Sequence, residues 1–281
     1  MINEMSTNDI NELKYAKSIL EDPGLPAKIV NAFGVPIEKG FEYLPDKWEE
    51  QIVHLSESAL RSGLRIAIHT LSADEKSMQK KSSDIFHKLC VAASGSVGGA
   101  FGLSTLALEL PVTTTLMLRS IADIAISEGE NLDEIDARFA CLEVFALGGN
   151  KISDDCTETG YYMVRAALSN AVTSATRYIV QSNMIDDTAP ILLKLITNIA
   201  SRFGVVVSEK MAATALPIIG AAGGALINIL FMDHFQDMAR GHFIVRRLER
   251  IYGKDVVKDL YESLAMPIQT KCQANQTSST D

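Results

Sequence analysis

Six charged residues stand where charge is costly. Glu109 precedes Pro111 by two residues inside an apolar run, Arg119 and Asp123 are four apart on a shared helix face, and Asp233, Asp237 and Arg240 repeat that spacing near the C-terminus. Isolated charges in apolar surroundings are expensive, so such groups pair. Joined, Glu109, Arg119, Asp123, Asp233, Asp237 and Arg240 make a buried polar cluster able to carry protons, hold an ion or grip a lipid headgroup. The plainer reading of the same six is an ion-pair network that fixes helix register.

Other chemistries have weaker support. Asp233, His234, Asp237 and His242 are residue types that bind divalent ions. On one helix, however, neighbouring positions point about 100° apart, and neither His-Glu-x-x-His nor a paired Glu-x-x-His occurs, so no metal centre is expected. No Gly-x-Ser-x-Gly sequence marks a nucleophile. Ser94-Gly95-Ser96 lacks an evident histidine partner, and His54, His69 and His87 are dispersed. Gly95-Ser96-Val97-Gly98-Gly99 lacks a Walker lysine and a Rossmann spacing, which gives no reason to expect a nucleotide cofactor. No residue is assigned a catalytic role. Thr113, Thr114 and Thr115 follow Pro111 and are placed to bond backward to helix carbonyls.

The elements that must position these residues are helical. Residues 8–21 read as a helix stopped by Pro23-Gly24, and a Pro/Gly-punctuated stretch follows to Pro45. Asp46 and Glu49 have capping-box spacing, and Ile52, Leu55, Ala59, Ile66 and Ala67 continue a helix to about residue 71. Asn131 and Glu134 open a helix ended by Gly148-Gly149. Helices are also expected over residues 158–182, 190–203 (with Pro190 near its start) and 235–252, the last stopping at Gly253. Gly204-Val205-Val206-Val207 is the one strand-like segment. The fold class is all-α, a multi-helix bundle.

Two segments break the amphipathic pattern. Residues 89–118 carry one charge, Glu109, and residues 211–232 carry none. Each exceeds the roughly 18–20 apolar residues of a membrane-span candidate. Gly95 and Gly99, Gly98 and Gly102, and Gly220 and Gly224 have the four-residue spacing that lets helix axes approach closely. The runs are nevertheless only mildly hydrophobic, and Pro111 and Pro217 would break or kink them. They suit either lipid insertion or the centre of a soluble bundle.

Composition sets the outer bounds. The 281 residues are 47% hydrophobic and 22% charged, which excludes a disordered chain. Lys and Arg number 26 against 35 Asp and Glu, a net −9, so no nucleic-acid partner is expected. Mean hydropathy is +0.12, high for a soluble protein and low for a polytopic membrane protein. Cys90, Cys141, Cys156 and Cys272 are scattered singly, as suits a reducing compartment. The N-terminal sequence has no basic segment followed by an apolar one, so no signal peptide is expected. Charge is polarised. Residues 119–160 hold 3 basic and 10 acidic side chains, whereas residues 239–258 hold 6 basic and 2 acidic. Arg246, Arg247 and Arg250 of this basic helix are candidates for contact with anionic headgroups.

The stretch Leu108-Glu109-Leu110-Pro111-Val112-Thr113-Thr114-Thr115, continuing through Leu118-Arg119-Ser120-Ile121-Ala122-Asp123-Ile124-Ala125, resembles the signature of the EcsC family. Glu128-Gly129-Glu130 and Cys141-Leu142-Glu143-Val144-Phe145-Ala146-Leu147-Gly148-Gly149 follow in the family's order. Gly220 to Asn228, Phe231, His242-Phe243, Arg246-Arg247-Leu248-Glu249 and Tyr252-Gly253 are similar as well. The resemblance spans roughly residues 40–262 and implies a bacterial protein. The family takes its name from a gene neighbouring those of an ABC transporter, which implies a membrane context and assigns no reaction. Protease-like names attached to some members find no supporting residues here.

These readings divide the chain into an N-terminal helical extension (1–40), an EcsC-like helical domain (41–262) and a polar tail (263–281). The leading expectation is a non-catalytic helical protein at the cytoplasmic face of the bacterial inner membrane, peripheral or integral. It would bind lipid or a membrane protein such as an ABC transporter, and its glycine runs permit a homo-oligomer. The alternatives are a soluble helical hydrolase using buried carboxylates and a glycine-zipper pore-forming protein.

Overall fold

The computed structural model describes residues 5–21, 24–69, 103–149, 160–182, 186, 188–217 and 220–264. Within these residues every regular element is helical, as the apolar periodicity predicts. Helix α1 (Thr7–Leu20) starts where the Ser6 hydroxyl accepts the Asp9 amide proton at 3.1 Å. It buries Leu13, Ala16, Lys17 and Leu20, one face at helical spacing, against the C-terminal half of the chain. The Pro/Gly-rich stretch forms two short helices, α2 (Gly24–Phe33) and α3 (Glu38–Phe41).

Helix α4 (Trp48–His69) packs along α5 (Leu103–Ser127). Pro111 lies inside α5 without ending it. The Thr115 hydroxyl donates to the Pro111 carbonyl at 2.8 Å, the backward bond anticipated for the threonine triplet. Helix α6 (Ile135–Glu143) runs into a 3-10 turn (Val144–Ala146), and every residue from Ala137 to Ala146 is buried. The buried Arg138 is held there by the carbonyls of Leu132 and Ile68, at 2.5 and 2.8 Å. Its start differs from the expected cap: Glu134 occupies the N-cap without a side-chain bond, while Asn131 accepts the Asp133 amide in a local turn.

Helices α7 (Gly160–Ser182), α8 (Pro190–Ala215) and α9 (Gly220–Tyr252) enclose this centre. Phe145 of the 3-10 turn has ring centroids 5.2 Å from Phe203 on α8 and 5.3 Å from Phe235 on α9, with Phe231 beside both partners. Each such ring contributes roughly 1.5–3 kcal/mol by leaving water. Helix α10 (Lys254–Ser263) follows Gly253, whose φ of 93° turns the chain. Lys17 of α1 reaches under α10 and donates to the carbonyls of Tyr261 and Leu264, both at 2.7 Å.

Three expectations need correction. Gly204 to Val207 is helical, because α8 runs on to Ala215 with Phe203, Gly204, Val206 and Val207 packed inward. Pro111 does not break its run, lying inside α5, whereas residues 211–232 do divide at Pro217: α8 ends at Ala215, Leu216 turns into an extended conformation, and α9 starts at Gly220. Residues 254–263, read without structure, form α10 because Val257 and Tyr261 share a buried face. Among the described residues one helix, Pro190–Ala215, is long and apolar enough to cross a membrane, and half of its most apolar window is buried inside the protein.

Candidate functional site

The six sequence-selected charges fall into separate groups. Glu109 accepts from Lys210 of α8 at 2.6 Å, and the Lys210 ammonium also sits 4.9 Å from the Phe231 ring centroid. This pair joins α5 to α8 where the two apolar runs meet. Asp237 and Arg240 bond to each other at 3.1 Å, and Lys28 of α2 reaches Asp237 at 2.6 Å. Arg119 lies exposed, while Asp123 and Asp233 are half-buried. Among the histidines and acids weighed as metal ligands, His234 packs against Gly148, Asp237 faces Lys28, and His242 faces Tyr161. No group of three or more His, Cys, Asp or Glu side chains able to hold a metal gathers among the described residues. Gly95, Gly98, Gly99 and Gly102 lie outside the described residues. Gly220 opens α9, and Gly224 is buried in its first turns.

The basic side chains of α9 are paired with carboxylates of the chain, Arg250 while still exposed. Arg246 bonds Glu130 at 2.8 Å and Asp136 at 3.0 Å. Arg247 bonds Glu128 at 2.9 Å and also Glu12, and Arg250 bonds Glu130 and the Glu128 carbonyl. The acidic stretch and the basic stretch of the chain are thus each other's counterions. The three guanidiniums expected to contact anionic headgroups are thus each paired within the protein.

The side chains that converge on open space lie elsewhere. A pocket of about 320 Å³ opens between α6, α7, α9 and α10. Asp136 and Glu143 come from α6, Tyr162, Arg165, Ser169 and Thr173 from α7, Arg246 and Glu249 from α9, and Lys254, Asp255 and Lys258 from α10. Helical spacing puts them there: 162, 165, 169 and 173 share one face of α7, and 242, 246 and 249 one face of α9. Arg165 grips Glu249 with two parallel bonds of 2.6 and 2.9 Å, and the Tyr162 hydroxyl donates to the same carboxylate at 3.2 Å. Its guanidinium lies 5.4 and 5.5 Å from the Tyr161 and Tyr162 ring centroids.

Behind Glu143 of the pocket lining lies a buried polar pair, outside the lining itself. The Tyr161 hydroxyl and His242 Nδ1 are 3.0 Å apart. Donation by the hydroxyl satisfies both atoms and leaves the imidazole proton on Nε2. That nitrogen has no hydrogen-bond partner and lies 3.9 Å from Glu143 Oε2, beyond bonding distance. Burial, with help from Arg165 and Arg246, holds His242 far below the usual histidine range and therefore neutral. Burial also raises the Glu143 carboxyl to about 7, and Arg165 and Arg246 only partly counter it. Glu143 is thus the group in this pocket that changes charge near neutrality, with neutral His242 behind it and two paired guanidiniums beside it.

Sequence reading did not assemble this site. Glu143, His242, Arg246 and Glu249 all lie in the stretches that carry the family resemblance, yet about a hundred residues separate Glu143 on α6 from the others on α9. The available signal was Glu143, a lone acid inside Cys141-Leu142-Glu143-Val144-Phe145. Tyr161, Tyr162 and Arg165 gave no comparable sign.

Neither the curated proteins nor the solved structures contain a match to this chain. A model of the EcsC protein family matches residues 8–248, which takes in α1 to α3 as well as the pocket's walls on α6, α7 and α9. The chain belongs to the EcsC protein family.

Proposed function

We propose that this EcsC-family protein is a non-catalytic, membrane-associated helical protein that docks on lipid, or on a membrane protein such as a transporter, at the cytoplasmic face of the bacterial inner membrane. The observation that carries this reading is the start of α5. Leu108 is 79% exposed and Val112 53% exposed, one turn apart on one outward face, while Glu109 between them is drawn inward by Lys210. Single exposed apolar residues are ordinary. These two continue directly from residues 89–102, which contain no charge. Leu226 of α9 is 38% exposed. Contact of this kind is apolar, because Arg246, Arg247 and Arg250 are held by carboxylates.

Fractionation of lysed cells tests the reading. The protein is expected with membranes through a high-salt wash and to leave them with carbonate or detergent. A Leu108→Glu/Val112→Glu variant with unchanged circular dichroism is expected in the soluble fraction. Wild-type protein that is wholly soluble after lysis would sink the proposal.

One observation favours a second reading, a helical hydrolase. Glu143 titrates near neutrality while the neighbouring acids Glu249 and Asp136 are ion-paired, a division that can supply an acid and a base. Turnover of an ester or glycoside that disappears in Glu143→Gln, with folding intact, would support it. Equal turnover in that variant would remove it.

A further inference from the structure

We infer that the pocket between α6, α7, α9 and α10 binds a small phosphate-bearing anion and that Glu143 takes up a proton as the anion enters. The cations are placed for it. Lys254 and Lys258 stand exposed at the mouth, and Arg165 and Arg246 form the walls. Each guanidinium carries N–H groups beyond those bonded to Glu249, Glu130 and Asp136. Hydroxyls of Ser169 and Thr173 complete the lining with groups that donate to phosphate oxygens. A volume of about 320 Å³ holds a phosphate together with an organic substituent.

Charge decides between an anion and a cation. The lining has four cations, Arg165, Arg246, Lys254 and Lys258, and four acids, Asp136, Glu143, Glu249 and Asp255. Ionised Glu143 therefore leaves the pocket neutral, and protonated Glu143 leaves it with one positive charge. A cationic ligand seeking Glu143 would pass both lysines and lie between both arginines. For an anion, Asp136 and Glu249 are already paired with Arg246 and Arg165, Asp255 lies exposed next to Lys254 in the chain, and a single proton on Glu143 gives the lining its net positive charge.

The groups facing Glu143 allow that step. They are Asp136 on its own helix, Tyr161, Tyr162 and Arg165 on α7, His242, Arg246 and Glu249 on α9, and Lys254 on α10, with Glu130 behind Arg246. His242 stays neutral, and its unpartnered Nε2 faces the carboxyl at 3.9 Å. Glu143 is thus the member of the set that gains a proton near neutrality. By linkage, an anion that binds the protonated form loses about tenfold in affinity between pH 6 and pH 8.

Calorimetry on the full chain tests this with sulfate, whose charge is constant over that range, and with glycerol phosphate. Saturable binding of both is expected, with sulfate about tenfold weaker at pH 8 than at pH 6 and with proton uptake seen as a buffer-dependent heat. Glu143→Gln is expected to bind sulfate equally at the two pH values. Lys254→Glu/Lys258→Glu, which changes exposed side chains only, is expected to weaken binding at least tenfold without altering circular dichroism. Vesicles of phosphatidylcholine with and without phosphatidic acid form a second arm. Retention that needs phosphatidic acid and both lysines identifies the phosphate as a lipid headgroup, and binding of glycerol phosphate alone identifies a soluble ester. Absence of saturable binding in both arms would overturn the inference, as would wild-type sulfate affinity that does not change with pH.

Discussion

The ammonium of Lys210 and the carboxylate of Glu109 lie 2.6 Å apart, with 2% and 12% of their side chains exposed. They tie α8 to α5 at the point where two nearly uncharged segments of the chain come together. Removing one partner leaves a charge in an apolar setting. Lys210→Met should therefore destabilise the fold by about 3–5 kcal/mol in urea unfolding. Adding Glu109→Gln to that variant should recover much of the loss. A Lys210→Met protein as stable as wild type would show that the pair does not hold the helices.

Two glycines should respond to alanine in opposite directions. A Cβ on Gly148 would stand 1.9 Å from His234 Nε2 inside the core, so Gly148→Ala should destabilise by about 1–3 kcal/mol or more. A Cβ on Gly204 would meet Ser56 Oγ at 3.7 Å and Ile52 Cγ2 at 3.9 Å, which is ordinary contact. Within α8, Gly204→Ala should stabilise by about 0.5–1 kcal/mol through helix propensity. Thermal melts of the two variants beside wild type decide both.

Glu143 makes a pH-dependent contribution of definite sign. Its carboxyl is raised in the folded chain to about 7 from an ordinary value of 4.5. Between those values the folded state holds a proton that the unfolded state has released, so this contribution to stability falls as pH rises from about 4.5 to about 7. His234, lowered to about 4 by burial, acts in the opposite sense over much of that range. The Glu143 contribution is therefore read as a difference. Glu143→Gln should gain on wild type by roughly 3 kcal/mol between pH 4.5 and pH 8. A difference that is flat with pH would place Glu143 in a better-solvated site.

Lys17 caps the last turn of α10 through the carbonyls of Tyr261 and Leu264. Lys17→Met keeps the apolar stem and removes both bonds. It should cost about 1.5–3 kcal/mol. Amide exchange at residues 258–264 should accelerate ahead of exchange in α8 and α9. Uniform acceleration across the molecule would instead mean that α10 unfolds only with the whole chain.

Local signals were legible where local physics sets the outcome. The stops at Gly148-Gly149 and Gly253 and the backward bond near Pro111 each depend on residues a few positions apart. The periodicity of α4 and α9 is similarly local, since one face must leave water whatever covers it. Gly204 to Val207 was harder to read. Its β-branched run suits a strand in isolation, and it is helical because Phe203, Val206 and Val207 are buried on the long helix α8. α10 was missed because its apolar positions, Val257 and Tyr261, are few and acquire meaning only against α9 and α1.

The sequence by itself determined an all-helical chain, its family, and the opposed charge of its acidic and basic stretches. Only the tertiary structure decided how those charges are used. Glu109 could have met Arg119 or Arg240 on sequence grounds, yet it meets Lys210 of α8. Arg246, Arg247 and Arg250 pair with Glu130, Asp136, Glu128 and Glu12. Glu143 and Arg165 line one pocket, with His242 behind Glu143, because three helices bring residues 143, 165 and 242 together. Helix periodicity tells which side of a helix is apolar, and only packing tells which partner that side finds.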